Sequence, residues 1–187
     1  MAYKFPAEKF EKLESRDRYD SMKPVQRLKN AGIQESDRVL DIGSGTGFYS
    51  RAAAELVGNS GNVIGIDILE EMLEKARELG LKPNLEYRLS EEASFPVEDD
   101  SMDWAIMTNL YHELEKPEQF IQEIDRVLHQ SGSVYVTDWL PKEQDDGPPV
   151  EHRIDSAVMI KDFEKFGFKL QSESSLADSH YEVVLSK

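Results

Sequence analysis

The sequence predicts an α/β fold, a three-layer αβα sandwich in which a mostly parallel sheet carries helices on both faces. Three observations predict it. Short apolar runs alternate with segments of helical period from Asp37 onward, the signature of βαβ units whose crossovers cover both sides of a sheet. The first of these runs ends in a glycine-rich turn that opens directly into a helical segment. The length of 187 residues fits a single domain with a sizeable core.

The elements follow in order. Tyr3, Phe5, Phe10 and Leu13 are apolar points in a charged stretch. Pro24 opens a helix through Ala31, and Gly32 stops it. Residues 1–36 read as a cap or lid over a core at 37–187, with Tyr3, Phe5, Phe10 and Tyr19 covering apolar surface. In that core, strands are expected at 38–42, 62–67, 84–89, 102–107 and 134–137. Helices are expected at 48–57, 69–79 and 117–129. Residues 140–151 carry Pro141, Gly147, Pro148 and Pro149 among acids and form a loop. A helix near 156–166 and final strands near 168–173 and 181–185 complete seven strands.

Hydrophobic residues at 39% and charged residues at 32% are a globular balance. A net charge of -15 disfavours phosphate backbones, and no Lys/Arg cluster offsets it, so a small molecule is expected as partner rather than nucleic acid. There is no cysteine, hence no disulfide and no thiolate chemistry. No apolar run approaches the roughly 20 residues of a spanning helix, and no signal-peptide core is present. A soluble, cytoplasmic protein is expected, without a membrane partner.

The sharpest feature is Val39-Leu40-Asp41-Ile42-Gly43-Ser44-Gly45-Thr46-Gly47-Phe48. A strand ends, glycines permit a tight turn, and exposed N–H groups at a helix start attract ligand atoms of negative character. The spacing is G-x-G-x-G, whereas the dinucleotide fingerprint is G-x-G-x-x-G. Asp41 would repel a diphosphate and attract an ammonium group. Asp67 ends the next strand, where a two-oxygen acceptor reaches ribose hydroxyls. Each aspartate also has a plainer role open to it: Asp41 as the partner of a nearby base, Asp67 as a helix cap.

With Val63-Ile64-Gly65-Ile66-Asp67, Glu70-Glu71-Met72-Leu73, Phe95-Pro96, Ser101-Met102-Asp103, Asn109-Leu110-Tyr111-His112-Glu113, Arg126-Val127-Leu128 and Ser131-Gly132, this stretch resembles class I S-adenosylmethionine-dependent methyltransferases. The likeness is to the small type 11 group that includes ubiquinone-biosynthesis-like enzymes. It runs over about residues 37–138. It implies a Rossmann-like sheet of seven strands with an antiparallel last strand, and S-adenosyl-L-methionine as cofactor with S-adenosyl-L-homocysteine as product. It places Gly43, Ser44, Gly45 and Gly47 around the methionine part, Asp41 on its ammonium group and Asp67, with Ile68 beside it, on the ribose. Glu91 and Glu92 fall at the adenine position, where relatives usually carry Asp-Ala. Asn109 falls where relatives line the methyl-transfer site.

His112 is the candidate general base, for an acceptor that has a proton to lose. His129 is expected to meet helix C-terminal carbonyls, His180 to lie in a polar turn and His152 to follow the proline-rich loop. No metal is expected. Arsenite methyltransferases within the resemblance hold arsenic through cysteines, which this sequence lacks. The acceptor is otherwise open. A non-catalytic protein that binds S-adenosylmethionine and a nucleotide-cofactor oxidoreductase are the alternatives.

Overall fold

The computed structural model describes residues 13–176 and 178–187. Its strands are β1 (Arg38–Ile42), β2 (Asn62–Asp67), β3 (Leu85–Leu89), β4 (Met102–Thr108), β5 (Leu128–Trp139), β6 (Lys169–Leu176) and β7 (His180–Ser186). Its helices are α1 (Arg16–Met22), α2 (Pro24–Ala31), α3 (Phe48–Val57), α4 (Glu70–Leu79), α5 (Pro117–Val127) and α6 (Ser156–Glu164). The strands form one seven-stranded sheet in the order β3-β2-β1-β4-β5-β7-β6. Pairs from β3 through β5 are parallel. β7 runs antiparallel to both of its neighbours, so the expected antiparallel last strand sits between β5 and β6.

Period-two alternation divides the core into two layers. Leu40, Ile42, Ile64, Ala105 and Met107 face α5 and α6, where Ile121, Ile124, Met159 and Phe163 are buried. Val39, Val63, Trp104 and Ile106 face the other side, with Leu28 of α2, Ala53 and Val57 of α3 and Leu73 of α4. Asp41 shares a parity with Val39, which turns its side chain toward α3.

Most elements match their expected spans. The helix at 117–129 is shorter than the pattern suggests: α5 ends at Val127, and Leu128 is extended (φ -80°, ψ 140°) and pairs with Met102. Both Val127 and Leu128 are fully buried, so apolar content alone does not separate the last helical turn from the first strand residue. His129 consequently lies off the helix end, its ring beside Asp100 and Asp103. The last two strands outrun their expected ends because β6 pairs with β7 as far as Leu176↔His180, and β7 pairs on to Ser186 with Lys169 and Ser133. β6 exposes nearly every side chain and carries no apolar period. Tyr3, Phe5 and Phe10 lie outside the described residues.

Chain direction locates the site. From β1 the connection runs to β2 on one side, while β4 lies on the other side of β1. The strand order therefore reverses between β1 and β4, and a crevice opens beyond their C-terminal ends. The glycine turn after β1 and Asn109 after β4 flank that crevice.

Candidate active site

The turn after β1 holds Gly43, Gly45 and Gly47 at φ +65°, +53° and +81°, in the left-handed region that glycine enters without penalty. Ser44 N–H donates to Ile66 O at 2.9 Å and Gly47 N–H to Ser44 O at 2.8 Å. A Cβ on Gly47 would lie 2.0 Å from Tyr87 Oη and one on Gly43 2.8 Å from Leu110 Cδ2, whereas one on Gly45 would meet nothing within 4 Å. Packing thus requires two of the glycines, and the third leaves an open cradle.

Asp41 lies beneath this turn, only 1% exposed. Ser50 Oγ, on α3, donates to its Oδ2 at 2.5 Å, and its Oδ1 has no partner. Burial, joined by the nearby charge of Asp67, raises its pKa to about 7 against the Ser50 bond. Asp67, at the end of β2, accepts Gly45 N–H on Oδ2 at 2.9 Å and Leu69 N–H on Oδ1 at 3.0 Å. Burial raises its pKa too, opposed by those backbone bonds. Each of its oxygens keeps a further lone pair for a hydroxyl.

A cleft of about 930 Å³ runs along the strand ends. Gly43, Ser44, Gly45, Asp67 and Ile68 line it, together with Glu91, Glu92, Asn109 and His112. Asp41 and Gly47 do not reach its surface. Glu91 is exposed at the cleft wall. Glu92 Oε1 accepts N–H from Glu115 at 2.9 Å and Lys116 at 3.4 Å, at the approach to α5. Asn109 has φ +52°, and its N–H donates to Thr137 O at 2.8 Å while its buried Oδ1 lacks a partner.

His112 stands in a 3-10 turn at Tyr111–Glu113, 8% exposed. Its Nδ1 is 2.7 Å from Asp138 Oδ1, and its backbone N–H donates to Asp138 Oδ2 at 3.2 Å. Burial works against the charged ring, but the hydrogen bond and charge of Asp138 outweigh it, and the His112 pKa is raised. An aspartate on Nδ1 fixes the ring orientation and leaves Nε2 as the basic atom. His180 is no turn residue: it opens β7, 4% exposed, because β7 pairs as far as Trp139↔His180. Its ring lies 4.1 Å from that of Trp139, and burial pushes its pKa down to about 4. His152 does not line the cleft.

Three side chains at or behind the cleft escaped the sequence reading. Asp138 is the penultimate residue of β5, at the same C-terminal end of the parallel strands as Asp67. Arg153 is buried and donates to the carbonyls of Pro148, Lys142 and Asp146, which holds the 140–149 loop along the cleft. Arg18 of α1 lines the cleft as well. Nothing in local pattern distinguishes either arginine from a surface cation.

The buried, partnerless Oδ1 of Asp41, the orphaned Oγ of Ser44 and the open cradle at Gly45 fit a ligand that brings a cation and further donors to the glycine turn. A model of the methyltransferase domain family matches residues 33–176, and the chain belongs to that family. A crystal structure of a SAM-dependent methyltransferase from Aquifex aeolicus is 33% identical, with a TM-score of 0.92 over 98% of this chain and 99% of that one. An arsenite methyltransferase of Halobacterium salinarum is 37% identical over 111 residues, 58% of this chain and 28% of that protein. A ubiquinone/menaquinone biosynthesis C-methyltransferase of Pasteurella multocida is 30% identical over 113 residues, 58% of this chain and 42% of that protein. The matched part is therefore less than half the length of these curated relatives. By family the chain belongs with the SAM-dependent methyltransferases, whose cofactor is S-adenosylmethionine.

Proposed function

We propose that this protein transfers a methyl group from S-adenosylmethionine to a small-molecule acceptor. The cofactor supplies an activated methyl on a sulfonium leaving group. The chain's own residues bind, align and exclude water. Asp41 holds the ammonium group, directly or through a water, and the turn from Gly43 to Gly47 cradles the methionine part. Asp67 takes the ribose hydroxyls, with Ile68 beside it. Glu91 accepts from the adenine amino group, while Glu92 keeps that wall in place through the backbone at 115–116. Asn109 lines the transfer site. His112 Nε2 removes the acceptor proton where there is one, with Asp138 orienting the ring. The described part of the N-terminal segment covers the cleft through Leu13, Ser15, Arg18 and Met22.

One observation carries this reading: a buried carboxylate with a free oxygen lies directly under a glycine turn that is open at Gly45. A diphosphate would be repelled there, which disfavours the oxidoreductase alternative. With no cysteine in the sequence, an acceptor held through thiolates is disfavoured too. The net charge of -15 favours a neutral or cationic acceptor over a nucleic acid. Incubation with methyl-labelled cofactor and fractionated small-molecule extract tests the activity. Transfer of label to a discrete product is expected; cofactor binding with no label transferred across broad extracts would favour a non-catalytic binding protein.

A further inference from the structure

Arg18 is the one Lys or Arg among the described residues that line the cleft. The walls are otherwise acidic, with Asp17, Glu91, Glu113 and Asp145 among them. Its guanidinium lies 4.2 Å from the ring centroid of Phe48, the residue that directly follows Gly47. Stacking on an aromatic face fixes the plane of an arginine without using its donors. Nη1 donates to Leu13 O at 2.6 Å, and Arg18 forms no ion pair with a described residue. The carboxylate of Glu14, close in the chain, is engaged elsewhere: it accepts from Thr46 Oγ1 at 2.5 Å and Arg51 Nη2 at 2.6 Å. Burial lowers the Arg18 pKa, and the charges of Glu14 and Asp41 act in the opposite sense. Arg18 is thus a partly buried cation beside the glycine turn, within electrostatic reach of Asp41 and with donors that no described residue takes.

We propose that Arg18 binds the α-carboxylate of the cofactor's methionine moiety while Asp41 takes its ammonium group. The proposal rests on the cofactor reading above and extends it to a residue outside the family-like stretch. A zwitterion is matched by opposite charges on two elements, one on β1 and one on α1. Arginine suits the task because its planar fork meets both carboxylate oxygens. The arrangement also makes α1 part of the binding site. The stack on Phe48 places the guanidinium at the glycine turn, which favours the cofactor's carboxylate over an acidic group on an acceptor.

Calorimetric titration of wild type, Arg18→Met and Arg18→Lys tests this. The probes are S-adenosylhomocysteine and its decarboxylated analogue, which keeps the ammonium group. Arg18→Met should weaken S-adenosylhomocysteine about tenfold or more and leave the decarboxylated analogue unchanged or tighter. Arg18→Lys should fall between, since it keeps charge but loses the fork. Equal losses for both ligands, or none for either, would overturn the assignment; should Arg18→Met fail to fold, the same comparison with Arg18→Lys decides it. Wild type that binds neither ligand would overturn the cofactor reading itself, a result distinct from failure of the Arg18 role.

Discussion

Ser50 Oγ holds Asp41 Oδ2 at 2.5 Å and leaves Oδ1 unpartnered in the protein interior. Ser50 stands in the first turn of the helix that the glycine turn opens, so one bond ties this buried carboxylate to the turn above it. Burial puts the Asp41 pKa at about 7. An ammonium ligand requires the ionised form, so binding should expel the proton that Asp41 carries below neutrality. The affinity for S-adenosylhomocysteine is expected to rise between pH 6 and 7.5, by up to about tenfold per unit on the acid side, and then to level. Calorimetry in buffers of different ionisation enthalpy should show proton release at pH 6.5; flat affinity across that range would contradict the assignment.

The same shift has a stability consequence. The Asp41 pKa is raised on folding from 3.8 to about 7, so between those values the folded state binds more protons than the unfolded one. Stability from this group is full below about pH 4 and declines as pH rises through 7. Asp41→Asn should therefore raise the Tm at pH 8, by stabilisation on the order of 1 to 3 kcal/mol, while the advantage vanishes near pH 4. The same variant should bind S-adenosylhomocysteine poorly. A Tm lowered at pH 8 would argue that Asp41 is a structural anion.

The glycines separate fold from function. Gly47→Ala places a Cβ 2.0 Å from Tyr87 Oη at φ +81°, so destabilisation is expected from both clash and backbone strain. Gly45→Ala meets no atom within 4 Å and should lose only the left-handed strain, about 1 kcal/mol, yet fill the cradle. Thermal melts should rank Gly47→Ala well below Gly45→Ala. Calorimetry should show Gly45→Ala folded and impaired for the cofactor product.

Asp138 raises the His112 pKa through a 2.7 Å bond to Nδ1. In Asp138→Asn the ring should titrate lower than in wild type, a shift that NMR reads without any acceptor. His180 should remain neutral down to about pH 4. Once an acceptor is known, His112→Ala should lower kcat about 10²- to 10⁴-fold if that acceptor loses a proton. Unchanged turnover would remove His112 from the chemistry.

The sheet was legible because buried strands and amphipathic helices differ in period, and the glycine turn because its pattern is contiguous in the sequence. Asp41 and the glycine turn lie within a few residues of one another, while Asp67 ends the next strand and meets the turn at Gly45, 22 residues back in the chain. The wall of the cleft around His112 was less so. His112 finds its partner in Asp138, 26 residues on, and His180 is buried by pairing with β5 across the sheet. Arg18 acquires meaning only when α1 folds back on Phe48. The end of α5 escaped for a simpler reason: Val127 and Leu128 are equally buried, one helical and one extended.

Calorimetric titration of wild type and Asp67→Ala with S-adenosylhomocysteine, and separately with NADH, tests the site most directly. Wild type should bind the nucleoside thioether at one site per chain and ignore the dinucleotide, and Asp67→Ala should lose at least about tenfold in affinity. Heat from NADH with none from S-adenosylhomocysteine, or an affinity indifferent to Asp67, would contradict it.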